Sequence, residues 1–124
     1  MYQVIKIGDK NVPMLSMASV DIYYRQVFKK DAIKLQASKD FDEGDAVNFL
    51  MEMGFIMAKF AEFMGTDPAA RRKMSALNED NFIEWLEGFE RDQYLSALPD
   101  IRAVYEGQQV TASESKKNEG RPNE

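Results

Sequence analysis

The apolar positions of this chain are concentrated in one stretch. Between Asp42 and Met64, DEGDAVNFLMEMGFIMAKFAEFM, the residues Phe49, Met53, Ile56, Phe60 and Met64 recur every three or four positions. That spacing predicts one face of an α-helix. Val47, Leu50, Met57, Ala61 and Met64 form a second, adjoining apolar row, and the polar remainder, Asn48, Glu52, Lys59 and Glu62, falls in a narrow stripe. A helix apolar on most sides reads as a central helix with neighbours packed around it. It is not a membrane span, because Glu52, Lys59 and Glu62 would each cost about 2.5 kcal/mol or more inside a bilayer. Phe55 interrupts the polar stripe between Glu52 and Lys59. Either another element of the same chain covers it, or a second subunit or partner does. On the second reading, Phe55, Met51, Glu52 and Lys59 are the candidate partner-binding residues.

The flanking patterns are shorter. Tyr2, Val4, Ile5 and Ile7 make a β-prone run, Gly8-Asp9-Lys10-Asn11 is turn chemistry, and Val12-Pro13-Met14 follows. This predicts a small hairpin of Tyr2–Ile7 with Asn11–Met14, Pro13 marking an edge or the strand end. A lone hairpin is marginal in water, so it must pack on the helices or pair with another chain. Ser16 or Ser19 can cap a helix through Phe28 whose shared face is Val20, Tyr23, Tyr24, Val27 and Phe28. Asp31 can start a short helix carrying Ile33 and Leu35, in a region where Lys29, Lys30, Lys34 and Lys39 form a solvated face or an anion site. After the central helix, Gly65 suits a C′ position, and Asp67-Pro68 reads as an N-cap followed by proline at the first helical position. Asn78 caps the next helix, with Glu79 and Asp80 favourable against its dipole. Phe82, Trp85, Leu86 and Phe89 fall at i, i+3, i+4 and i+7, and Trp85 and Phe89 are expected on the central helix. Pro99 starts a new helix or kinks a continuing one, with Leu98, Ile101, Val104 and Tyr105 as the apolar face. Thr111 to Glu124 holds no large apolar residue. The expectation is therefore a mainly α fold: a helical domain over 1-108 around one long central helix, a short N-terminal β-hairpin, and a disordered polar tail over 109-124.

Composition narrows the chemistry. At 124 residues the chain suits one domain with a modest core. The opening MYQVIKIGDK lacks the apolar run of a secretory signal. Cysteine and histidine are absent, which removes disulfides, thiolate zinc sites, the usual general base and every Ser-His or Cys-His nucleophile. What remains is a carboxylate enzyme acting through Glu84, Glu87 or Asp92, which would need a cleft and a carboxyl raised by burial. These absences favour a cytosolic binding or assembly protein without a cofactor. Up to Leu77 the chain holds 11 Lys/Arg and 10 Asp/Glu, and from Asn78 onward 5 and 11. The acidic half argues against duplex nucleic acid as a partner. A small helical DNA-binding regulator would have to use Arg71-Arg72-Lys73, a run too short to point there alone. The eight methionines suit adaptable protein contacts, or ordinary core filling.

Two stretches carry a resemblance. Asn78-Glu79-Asp80-Asn81-Phe82-Ile83-Glu84-Trp85-Leu86-Glu87-Gly88-Phe89 resembles the F-x-x-W-L helix of phage tail assembly chaperones from siphophages and prophages of Gram-positive hosts. Tyr94-Leu95-Ser96-Ala97-Leu98-Pro99-Asp100-Ile101 is similar to the segment that follows it there. The hairpin at Ile5–Lys10, the methionine-rich central helix and the Lys-containing polar tail come in the same order, so the likeness covers nearly the whole chain. The resemblance implies a non-enzymatic, non-virion factor of the host cytoplasm. It would coat the long helical tape measure protein, keep it soluble and recruit tail tube subunits. From the residues themselves, the edge-forming hairpin and Phe55 lead to an expectation of homo-oligomers, and the acidic half and the charged stripe of the central helix to one of no nucleic-acid or membrane partner. The resemblance also implies a longer product made by ribosomal slippage, for which Ser115-Lys116-Lys117-Asn118 is the expected place. Another protein-interaction adaptor is the competing reading from the residues alone.

Overall fold

The structure, a computed structural model, describes residues 1–64 and 67–108. Along the chain come β1 (Tyr2–Ile7), β2 (Lys10–Leu15), α1 (Val20–Phe28), α2 (Ala32–Ala37), α3 (Glu43–Phe63), α4 (Pro68–Ser75), α5 (Glu79–Leu86), α6 (Arg91–Ser96) and α7 (Leu98–Tyr105). The architecture is mainly helical, with an N-terminal antiparallel hairpin and α3 at its centre.

Local signals set the ends of α3. The Asp42 carboxylate accepts from the Asp45 amide, and the Asp45 carboxylate accepts from the Asp42 amide, a reciprocal cap on two otherwise unpaired donors. At the other end Met64 takes φ 51 in the left-handed region, where its amide still bonds to the Phe60 carbonyl. This corrects the expectation that Met64 continues both apolar rows: the backbone has turned away, and its side chain is 74% exposed. Between those ends Phe49, Met53, Phe55, Ile56, Met57, Phe60 and Ala61 are buried.

The neighbours of α3 arrive on several sides. β1 and β2 pair in the register Tyr2↔Leu15 to Ile7↔Lys10, which turns Ile5, Ile7, Val12 and Met14 inward onto the core. The second strand, Lys10–Leu15, begins one residue before the expected Asn11 and ends one after Met14. Gly8 at φ 66 lets a two-residue Gly8-Asp9 connection close the ribbon, the first central position where a left-handed backbone suits a twisted hairpin. α1 buries all five residues of its expected face. Ser19 holds its N-cap position but makes no side-chain cap bond. Asp31 does cap α2, accepting from the Ile33 and Lys34 amides. That helix presents Ala32 rather than Ile33 to the core, and Ile33 is 65% exposed. α7 buries Leu98, Ile101 and Val104, with Pro99 in its first turn. Asp67 and Asn78 cap α4 and α5 as their sequences indicate, through the Ala70 and Asn81 amides. α5 ends at Leu86, so Phe89 is carried by the turn after it rather than by the helix. The short α6 was not anticipated as a separate helix. Gly65, the polar tail over 109-124 and the slippage segment lie outside the described residues. Among the described residues, no helix is long and apolar enough to cross a membrane.

Candidate functional site

One stripe of α3 organises the candidate surface. Met51, Phe55 and Lys59 are four residues apart, so they lie one above another on the helix. α5 crosses that stripe at Phe55. Phe82 and Trp85 of α5 lie 5.5 and 5.7 Å from the Phe55 ring, and Phe28 of α1 lies 6.4 Å away. Phe55 is left with 0% exposure. The partner reading of Phe55 is thereby corrected: its cover is the chain's own aromatic helix, and it offers no surface.

The other three candidate residues separate around that crossing. Glu52 faces α1, where its carboxylate accepts from the Tyr24 hydroxyl at 2.6 Å and pairs with Lys30 at 3.1 Å, leaving the side chain 14% exposed. Both of its oxygens are engaged within the chain, so it serves as a clamp between α1 and α3. Lys59 pairs with Glu62 at 3.1 Å and borders a hollow of about 470 Å³ between α3, α4 and α5, which Phe63, Leu77, Glu84 and Trp85 also line. Met51 lies on the opposite side of α5, in a largely apolar hollow. The structure thus brings none of the four together as one contact surface.

The hollow at Met51 is a groove of about 680 Å³. Val47 and Met51 of α3 form one wall, Leu86 and Phe89 at the end of α5 a second, and Leu95 of α6 with Leu98 of α7 a third. Tyr94 seals its floor. The Tyr94 side chain is 3% exposed, its ring lies 5.5 Å from Trp85 and 5.6 Å from Phe89, and its hydroxyl donates to the Met51 carbonyl at 2.7 Å. Gly54 makes that approach possible. A Cβ at position 54 would lie 2.7 Å from the Tyr94 hydroxyl and 3.0 Å from Ile101. A glycine in the middle of a helix costs about 1 kcal/mol against alanine, and here the close approach of α6 and α7 accounts for it. Phe89 also borders a third hollow of about 540 Å³ toward the hairpin, where Lys10 donates to the Gly88 carbonyl and sits 5.1 Å above the Phe89 ring.

Sequence reasoning named Met51 but not the rest of the groove. Leu86 and Phe89 carry an interior pattern yet remain half-buried, and no residue of α5 is fully buried. The available signal was the isolated mid-helix glycine, which marks a close approach. Glu84, Glu87 and Asp92 are exposed. Arg71, Arg72 and Lys73 are exposed on α4, and the Lys73 ammonium lies 5.8 Å from the Phe63 ring centre. No protein-family model, curated protein or solved structure matches the chain.

Proposed function

We propose that this chain is a phage tail assembly chaperone, which holds the tape measure protein soluble in the host cytoplasm and hands it to tail tube subunits. The single observation that carries this reading is the ordered likeness of its motifs to that family, from the hairpin to the Tyr94–Ile101 segment. Two physical features support it. An apolar groove bounded by a methionine and half-buried aromatics suits the adaptable, reversible contacts that a holding factor needs. A chain without histidine or cysteine suits binding better than catalysis. Self-association belongs to the same reading. The outer face of the hairpin leaves Tyr2 and Val4 about half exposed, opposite Leu15 and Pro13, and a two-stranded ribbon gains from a neighbour.

Co-expression with the tape measure protein of the same phage tests the assignment. The expected result is that the long chain stays soluble and is recovered with this protein in a pull-down. Recovery of no tape measure fragment, from any part of its length, would remove the assignment.

A further inference from the structure

The groove at Met51 differs from the other hollows in what surrounds it. Its walls are apolar, but the chain segment that supplies two of them is strongly acidic. From Asn78 to Gln108, spanning α5 to α7, eight carboxylates stand against two arginines, a net charge of −6. Glu87 and Glu90 flank Phe89 in sequence, Asp92 follows Arg91, and Glu43 stands one helical turn before Val47; all four carboxylates are exposed. Arg91 lines the groove and lies 3.9 Å from Asp92, with both side chains almost fully exposed. The groove is therefore a mainly apolar slot, with Asn48 and Arg91 as its polar lining, set in an acidic stretch of chain.

We infer that this slot takes an amphipathic helix whose apolar face is bordered by lysine or arginine. Apolar side chains at i, i+3 or i+4 and i+7 would enter between Val47, Met51, Leu86 and Leu95, while the basic border meets Glu43, Glu87, Glu90 and Asp92. Charge decides between occupants. A second copy of this chain brings a net −5, and its basic helix α4 already spends Ala70 and Met74 on its own core. That leaves α4 no large apolar residue to offer a neighbour. A neutral small molecule would gain nothing from the carboxylates. The inference deepens the chaperone reading by naming the surface and the pattern of what it binds, and it rests on that reading only for the partner's identity.

The test uses the full chain and a labelled peptide about five helical turns long, with leucines on one face and lysines on both borders. A peptide with glutamates in place of the lysines, and one of scrambled order, serve as controls, all at physiological ionic strength. Fluorescence anisotropy is expected to show the lysine-bordered peptide binding about tenfold or more tighter than either control. Met51→Glu should weaken it by about tenfold or more. Glu87→Lys with Glu90→Lys, a change at exposed positions with little bearing on the core, should turn the preference toward the glutamate-bordered peptide. Equal binding of the scrambled peptide, indifference to Met51→Glu in a variant that melts like the parent, or an unchanged preference after the charge reversal would each overturn the inference. Co-expression separates it from the chaperone assignment. If Met51→Glu and the charge-reversed variant still keep the tape measure protein soluble, the groove inference falls and the assignment stands. If the peptides behave as expected and no tape measure fragment is recovered, the assignment falls and the groove inference stands.

Discussion

α1 and α5 both lay aromatic rings on α3, and both are amphipathic in sequence. Their outcomes differ. On α1, Tyr24 is 0% exposed, and Val20, Tyr23, Val27 and Phe28 are also buried. On α5 no residue is fully buried, and Phe82, Trp85 and Leu86 keep part of their surface in solvent. The reason lies in the surroundings. α1 is packed between α3, α2 and α4, and Glu52 clamps it through Tyr24 and Lys30. α5 rests on α3, with hollows along its flanks. Apolar periodicity tells which face of a helix turns inward. It does not tell whether anything closes over the edges of that face, and an unclosed edge is where a partner can bind.

Alkali should break both sides together. Burial pushes the Tyr24 phenol far above its ordinary value, reinforced by its hydrogen bond to Glu52, and burial alone does the same to Tyr94. Tyr105 is pushed up to about 12 by burial first, then by its hydrogen bond to Asp21 at 2.8 Å. Each folded value lies above the ordinary 10.0, so the folded chain holds these protons more tightly than the unfolded chain. Their contribution to stability is complete below pH 10.0 and is lost as the pH rises through the folded values, Tyr105 at about 12 leading. Phenolate absorbance and circular dichroism recorded together should show these ionisations arriving with unfolding. Ionisation of every tyrosine near pH 10.0 with the fold intact would contradict the burial described.

Single substitutions sharpen the comparison. Phe55→Ala removes a ring with 0% exposure from beneath α5 and should cost about 3–5 kcal/mol in denaturant unfolding. Trp85→Ala, in the half-buried layer directly above, should cost about 2 kcal/mol. If the two cost the same, α5 is closed as firmly as α1 and the contrast fails. Gly54→Ala gains about 1 kcal/mol of helix propensity, yet its Cβ would crowd the Tyr94 hydroxyl and Ile101. A net loss of about 1 kcal/mol is expected, since overpacking costs about 1–3 kcal/mol. A more stable Gly54→Ala would mean that α6 and α7 can retreat from α3 freely.

The sequence made the helix starts legible because capping is a local matter. Asp31, Asp67 and Asn78 each sit where their own side chain meets an unpaired amide. The hairpin and the inward face of α1 were legible for the same reason, being patterns of period two and 3.6. Met64 was not, because periodicity does not say where the backbone leaves the helix. Ile33 was not, because in a helix as short as α2 one residue of rotation decides which side chain turns inward. The groove was hidden for a deeper reason. Val47, Leu86, Phe89 and Leu95 read as core residues one at a time, and only the spacing of α3, α5 and α6 leaves them half covered.

The methionines provide the most direct measurement. With methyl-labelled methionine, Met14, Met53, Met57 and Met74 report on the core at 0% exposure, and Met51 reports on the groove. Titration with a soluble tape measure fragment carrying a basic-bordered amphipathic helix should shift the Met51 methyl resonance and leave those four nearly still. If Met51 stays in place while the exposed Met1, Met17 or Met64 moves, the partner binds elsewhere and the account of the open side is wrong.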